Sequence, residues 1–210
     1  GDENMTRAFI EGEDIHRATA ALVHGLKPED VSDGLRREAK ALNFGIIYGM
    51  GAYGLAQATD MDQKQAAEFI KEYLKKFSGV AKYMDDMRKF AHEKGYVETA
   101  LGRRRTLPEI QATNQALVRG AARMAINMPI QGLAADIMKL AMIAADQMAE
   151  TTYSGSAQML LQVHDEIIFE VRVDIAEAFA RDLKQSMEGV YALKVPLIAE
   201  TAIGKNWGEI

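Results

Sequence analysis

Leu35-Arg36-Arg37-Glu38-Ala39-Lys40-Ala41-Leu42-Asn43-Phe44-Gly45-Ile46-Ile47-Tyr48-Gly49 is the stretch from which the rest of the chain is read. Arg36, Lys40, Phe44 and Tyr48 recur every four residues. On an α-helix each such step turns by about 40°, so the four side chains form one gently spiralling stripe. Leu35, Ala39, Leu42 and Ile46 fall within about 60° of one another on a neighbouring face and predict the side that docks onto a core. A helix built this way buries one face and presents two cations followed by two aromatic rings on the other. That order suits a nucleoside triphosphate lying along the helix: Arg offers forked donors to outer phosphate oxygens, Lys a point charge to an inner one, and the rings give surfaces for sugar and base.

Bulk properties narrow the class. The chain has 210 residues, 48% of them hydrophobic, enough to build one large or two small lobes around a proper core. There is no Cys, which excludes disulfides and thiolate metal sites. No uninterrupted apolar run is long enough to span a bilayer, and the start lacks a signal-peptide pattern, which predicts a soluble cytoplasmic protein that does not contact membranes. A net charge of −5 excludes a generally basic nucleic-acid coat, so any DNA contact rests on local clusters such as Arg103-Arg104-Arg105.

Around the central stretch the pattern is helical. Thr6 to Gly12 read as the last turns of a helix, and Asp14 as the N-cap of the next, which runs to Val23 and carries His16. Lys27-Pro28-Glu29-Asp30 breaks the chain, and Ser32 or Asp33 caps the central helix. Gly49, Gly51 and Gly54 loosen the chain beyond it. Met61 to Phe77 form a helix capped by Asp62, and Ser78 to Lys94 another, stopped by Gly95. Tyr96 to Ala100 alternate like a short strand that runs into Gly102-Arg103-Arg104-Arg105-Thr106-Leu107-Pro108. From Gln111 to Met128 the pattern is helical again, with Arg119, Arg123 and Asn127 stepping by four and Gln131 completing the stripe after Pro129. Arg, Asn and Gln reach the N3 and O2 acceptors of a duplex minor groove, which hardly distinguish the base pairs.

A Met-rich apolar helix from Ala134 to Glu150 is followed by a second chemical centre. Two β-prone runs, Met159 to Val163 and Ile167 to Val171, flank His164-Asp165-Glu166 and predict a hairpin with adjacent carboxylates at its tip. Their mutual repulsion at a sheet surface favours a divalent cation. Asp174 to Met187 form a further amphipathic helix, and Lys194 to Thr201 a final edge strand carrying Pro196.

The segment Arg36…Lys40…Phe44…Tyr48-Gly49 resembles motif B, the O helix of family A DNA polymerases. Asp14-Ile15-His16 with Thr19-Ala20, Gly102-Arg103-Arg104-Arg105…Leu107-Pro108, Asn127-Met128-Pro129-Ile130-Gln131-Gly132 and Gly204-Lys205-Asn206-Trp207 resemble further segments of that family, and His164-Asp165-Glu166 resembles its motif C. Two departures stand nearby: Ala122 where the family usually has Glu, and Leu133 where it usually has Thr. The resemblance covers nearly the whole chain and implies an α+β fold: a helical fingers lobe beside an antiparallel-sheet palm portion of a right-hand polymerase. It places 1–12 at the palm/fingers junction, 13–110 in the fingers and 111–210 in the carboxyl-terminal part of the palm.

The implied reaction is template-directed attack of a primer 3′-hydroxyl on the α-phosphate of a deoxynucleoside triphosphate, assisted by two Mg2+ ions whose second ligand set lies outside this chain. Asp165 then resembles the metal carboxylate, Glu166 its weaker neighbour, and His164 faces the primer end. Lys40 serves the transferring phosphate, Arg36 and His16 the outer phosphates, Phe44 the sugar and Tyr48 the templating base. Arg123, Asn127 and Gln131 follow the minor groove, and Arg103 to Arg105 serve either backbone contacts or subdomain packing. The implied partners are primer–template DNA and deoxynucleoside triphosphates, with the parent protein monomeric and nucleoid-associated. The family's motif A, Asp-Tyr-Ser-x-x-Glu-Leu-Arg, does not occur, so the expectation is a piece of a longer polymerase that does not polymerise alone. The alternatives are a catalytically incompetent module that binds nucleotide or duplex, and a single-subunit RNA polymerase, against which Glu166 and Phe44 speak.

Overall fold

Asp2 ties the first residues of the chain into the fold. In the computed structural model, which describes residues 1–210, Asp2 caps α1 (Glu3–Ile10) by accepting from Met5 N at 2.8 Å, and its other oxygen accepts from Gly79 N at 2.7 Å. The approach is close enough that a Cβ on Gly79 would lie 2.7 Å from the Asp2 Cα. Both oxygens of a carboxylate that is only 9% exposed are thereby satisfied.

The residues Gly1–Gly132 form one compact unit and Leu133–Ile210 a second. In the first, α2 (Ile15–His24) is capped by Asp14 and closed by Gly25 in the left-handed region. The central helix α3 (Asp33–Ile47) starts at Ser32, whose side chain accepts from Leu35 N, so Ser32 is the cap. Its inward face is the one the spacing predicts. Leu42 packs with Leu55 and Ala66, Ile46 with Tyr73 and Phe77, and Ala39 with Ala20, Ala21 and Val31, with Leu35 partly buried against the last group.

The glycine-rich segment after α3 is more ordered than its composition suggests. It folds into α4 (Ala52–Ala58), because Leu55 is wholly buried against α3 and α5 (Gln63–Lys76), and that burial outweighs the helix cost of Gly54. A full capping box joins Asp62 to Gln65 at the start of α5. Helix α6 (Ser78–Lys94) ends at Gly95, which has φ +74°.

Strand β1 (Tyr96–Glu98) then pairs antiparallel with β2 (Arg104–Thr106). The second strand takes up two of the three consecutive arginines, Arg104 and Arg105, for which the sequence reading gave no secondary structure. The turn between them is closed by Gly102 N donating to Thr99 O and Thr99 N to Arg103 O, and Arg104 lies 4.6 Å from the Tyr96 ring centroid with its Nε donating to Glu98 at 2.8 Å.

Helix α7 (Gln115–Thr151) is a second correction: one helix runs where the sequence reads two, with Pro129 inside it. The proline removes a single backbone donor, while Ala121, Ala125 and Ile126 before it and Ala141, Ala145 and Ala149 after it are buried, so packing carries the helix through. By length and composition alone α7 could cross a membrane. Arg119, Arg123, Lys139 and Asp146 interrupt its exposed surface with charge.

The second unit centres on Ala145, Ala149, Phe179 and Leu183, which join the end of α7 to α8 (Ala176–Gly189). Against them pack Met159, Phe169 and Val171 from the antiparallel hairpin β3 (Ala157–Val163) and β4 (Glu166–Val171). Leu160 is an extra residue in the ladder, a bulge between Met159↔Phe169 and Leu161↔Ile168. The strand read at Lys194 to Thr201 does not form. No strand of this chain pairs with it, Pro196 withholds a donor, and Ala199 N donates instead to the Glu188 carboxylate at 3.0 Å.

Candidate nucleotide and nucleic-acid interface

The stripe on α3 is continuous and points away from the core. Lys40 and Phe44 are exposed and Arg36 and Tyr48 half-buried. The Phe44 ring centroid lies 5.9 Å from those of both His16 and Tyr48, so His16 on α2 joins the same row. Arg36 Nε donates to Asp14 Oδ2, while Asp14 Oδ1 caps α2 through His16 N and Arg17 N. Partial burial raises the Asp14 carboxyl, but hydrogen bonds from Arg36 and from the two backbone amides outweigh it and hold the group below its ordinary value. Burial lowers the His16 imidazole, Asp14 pulls it up, and Arg36 and Lys40 push it down; the net shift is downward. A neutral His16 beside two cations is therefore the ground state of this row near neutral pH.

Sequence reading missed the residue behind His16. Asn43 sits on the buried face of α3, 1% exposed, with its amide nitrogen 2.9 Å from His16 Nδ1. The available signal was a polar residue between Leu42 and Phe44 on the side facing the core, because a buried amide requires partners. The pairing of Asp14 with Arg36, 22 positions apart, leaves no such trace.

The far end of the stripe meets α7. Helix α3 closes in a Schellman arrangement, Gly49 N donating to Ile46 O at 2.9 Å and Met50 N to Gly45 O at 2.8 Å, with Gly49 at φ +84°. A Cβ on Gly49 would lie 3.2 Å from Arg123 Cγ. The same unit thus brings Arg123, the first of the three residues expected to follow a minor groove, against the end of α3 beside Tyr48. Gly49→Ala combines a left-handed backbone with that contact. We expect it to destabilise this unit by about 1–2 kcal/mol in urea unfolding; unchanged unfolding would mean that the Schellman closure is not required.

Arg123 and Gln131 are exposed. Asn127 is partly buried, its Oδ1 enclosed without a hydrogen-bond partner. Behind them Tyr83 Oη donates to Ile126 O at 2.9 Å, and burial raises the phenol to about 12, so it remains a donor. Ala122, at the position departing from the family pattern, packs partly buried against the cluster around Ala121 and Ala125.

In the second unit His164 and Asp165 form the turn between β3 and β4, closed by the pair Val163↔Glu166. His164 has φ +52°, the sole non-glycine residue in the left-handed region, and Gln162 Nε2 donates to its carbonyl. Holding a histidine there costs about 1–2 kcal/mol, a strain typical of functional turns. His164, Asp165 and Glu166 are all exposed. No three His, Cys, Asp or Glu side chains of the chain gather into a metal-holding group. The carboxylates of Asp165 and Glu166, adjacent in sequence, are hard oxygen donors of the kind Mg2+ takes, and would supply part of the ligands of such an ion.

The profile of DNA polymerase family A matches residues 1–209. DNA polymerase I of Pseudomonas aeruginosa is 47% identical over 209 residues, 99% of this chain and 23% of that protein. Thermostable DNA polymerase I of Thermus aquaticus is 45% identical over 207 residues, covering 99% of this chain and 24% of that one. Among solved structures, the POL domain of Pol1 from M. smegmatis, in complex with DNA primer-template and dNTP, superposes with a TM-score of 0.86 at 40% identity, over 93% of this chain and 34% of that one. The chain spans about a quarter of the length of these curated relatives. With the helical unit, the antiparallel hairpin and a match along its length, the chain belongs to DNA polymerase family A.

Proposed function

We propose that this chain is the fingers and carboxyl-terminal palm of a longer DNA-directed DNA polymerase that extends a primer 3′-hydroxyl with deoxynucleoside triphosphates on a DNA template. Residues 1–12 join palm to fingers, 13–110 form the fingers and 111–210 the palm portion. The observation that carries the reading is the row His16, Arg36, Lys40, Phe44 and Tyr48, assembled from two helices with its cations at one end and its rings at the other. A relative of the same family, 40% identical, was solved with primer-template and dNTP.

In this reading Arg36 and His16 hold outer phosphate oxygens, and the triphosphate takes the place of Asp14 as the partner of Arg36. Lys40, a compact exposed cation one turn on, stabilises charge on the transferring phosphate and delivers a proton to the departing pyrophosphate. Phe44 abuts the sugar, and Tyr48 holds the position of the templating base. Arg123, Asn127 and Gln131 follow the minor groove, testing pair shape without reading identity. His164 faces the primer end. Asp165, with Glu166 beside it, would hold Mg2+, which when bound would supply Lewis-acid stabilisation of the charge that develops on phosphoryl transfer.

The protein acts as a monomer on nucleoid DNA in the cytoplasm. The chain contributes one carboxylate pair and lacks the motif A string, so by itself it binds nucleotide or duplex without extending a primer. Phe44→Tyr in the longer polymerase tests the row. A phenol against the sugar supplies a hydrogen bond in place of the missing 3′-hydroxyl, and the dideoxy/deoxy incorporation ratio rises about tenfold or more. An unchanged ratio removes the assignment of Phe44 to the sugar.

A further inference from the structure

Asn43 is the most completely committed polar side chain beside the nucleotide row. Thr19 Oγ1, 6% exposed on α2, donates to Asn43 Oδ1 at 3.0 Å, and the Ile15 carbonyl, which can only accept, stands at the other end of the amide and sets its orientation. The nitrogen end then faces the start of α2, donating to Ile15 O at 3.5 Å and lying 2.9 Å from His16 Nδ1. An amide nitrogen has hydrogens to give and no lone pair to receive with, so His16 Nδ1 is the acceptor and carries no proton. In the neutral ring the proton is on Nε2. A doubly protonated imidazole would set its Nδ1–H against the amide N–H, a repulsion inside a buried network.

Resting on the nucleotide reading above, we propose that Asn43, oriented by Thr19, is a positioning residue that locks His16 in the Nε2–H tautomer, so that His16 meets a triphosphate oxygen as a neutral, directed donor. The charged groups around the ring fit this role. Arg36 and Lys40 on α3 already supply positive charge, and Asp14 at the start of α2 stays engaged by the amides of His16 and Arg17 when Arg36 turns to the triphosphate. The imidazole adds direction rather than a third cation, and burial supports its neutral form.

Nitrogen-15 NMR of the longer polymerase labelled at its histidine ring nitrogens reads the proton's position, with the His16 signals identified by their loss in His16→Gln. In the unsubstituted protein Nδ1 is unprotonated and Nε2 protonated. Asn43→Asp exchanges a donor for an acceptor and moves the proton to Nδ1. Because that variant buries a carboxylate, Thr19→Val gives a second route: it frees the amide, yields a tautomer mixture and raises the dNTP KM about tenfold with less effect on kcat, whereas Thr19→Ser restores both. An Nδ1–H ring in the unsubstituted protein, or the same tautomer after Thr19→Val and Asn43→Asp, overturns the lock. A lock that holds while dATP with Mg2+ leaves the Nε2 signal unmoved overturns instead the nucleotide reading, and with it the donor role.

Discussion

Asp165→Ala in the longer polymerase lowers primer extension by about a thousandfold or more and leaves primer–template binding in place. The magnitude comes from the chemistry assigned to the carboxylate. A metal ligand supports several kcal/mol of transition-state charge stabilisation, and each 1.4 kcal/mol is about a factor of ten. Binding survives because the residues proposed to follow the groove, and the row proposed to hold the triphosphate, lie on other elements. The fold survives as well: Asp165 is exposed in a turn whose geometry is set by His164 at φ +52° and by the flanking ladder, and exposed substitutions of this kind change stability by about 0.5 kcal/mol or less. Glu166→Ala, removing the weaker neighbour, costs less activity. Glu170→Ala, exposed farther along β4, is the control and leaves extension unchanged. Undiminished extension by Asp165→Ala would reduce the tip to a turn and end the metal assignment.

How much of the fold and the site is legible in the sequence depends on the distance over which each feature is encoded. The α3 stripe and its buried face are legible because both derive from one helical period: Ala39, Leu42 and Ile46 are buried where the period puts them, and Arg36, Lys40, Phe44 and Tyr48 share the other side. Asp14 and Asp62 are legible as caps because a cap acts within three residues. The hairpin tip is legible because β-prone apolar runs stop on either side of the polar stretch that holds His164-Asp165.

The features that escape are set by contacts distant in sequence. Helix α4 exists because Leu55 finds α3 and α5, a fact no glycine count contains. β2 needs the register Val97↔Arg105, and three arginines in a row give no alternation from which to infer it. The break read at Pro129 fails because burial on both sides outweighs one lost hydrogen bond. The strand read near Pro196 fails because alternation alone supplies no partner for its amides. Within the site, residue types are legible and their mutual constraints are not: Thr19, Asn43 and His16 form one network from positions up to 27 apart.

That division between period and contact also sets the largest stability effect. Leu42→Ala empties the space between Leu55 and Ala66, with Met50, Phe69 and Ile70 packed around it. Leu42 is 2% exposed, and its neighbours come from α4, α5 and, through Val23, α2, so collapse around the missing isobutyl group requires helices to move together. Leu→Ala at such sites costs about 3–5 kcal/mol. For a unit of this size that lowers the melting temperature by about 10 °C, seen in urea and thermal unfolding followed by circular dichroism. Arg37→Ala, exposed on the same helix, changes stability by about 0.5 kcal/mol or less. Asn43 and Phe44 directly follow Leu42, so the cavity variant also loosens the α3 turn that carries Phe44 and the Asn43 amide held against His16. At temperatures where it is still folded, its dNTP KM rises more than its kcat falls. Unfolding that matches Arg37→Ala would mean that α3 is held by its exposed stripe rather than by its buried face, and the assignment of the row by helical period would lose its foundation.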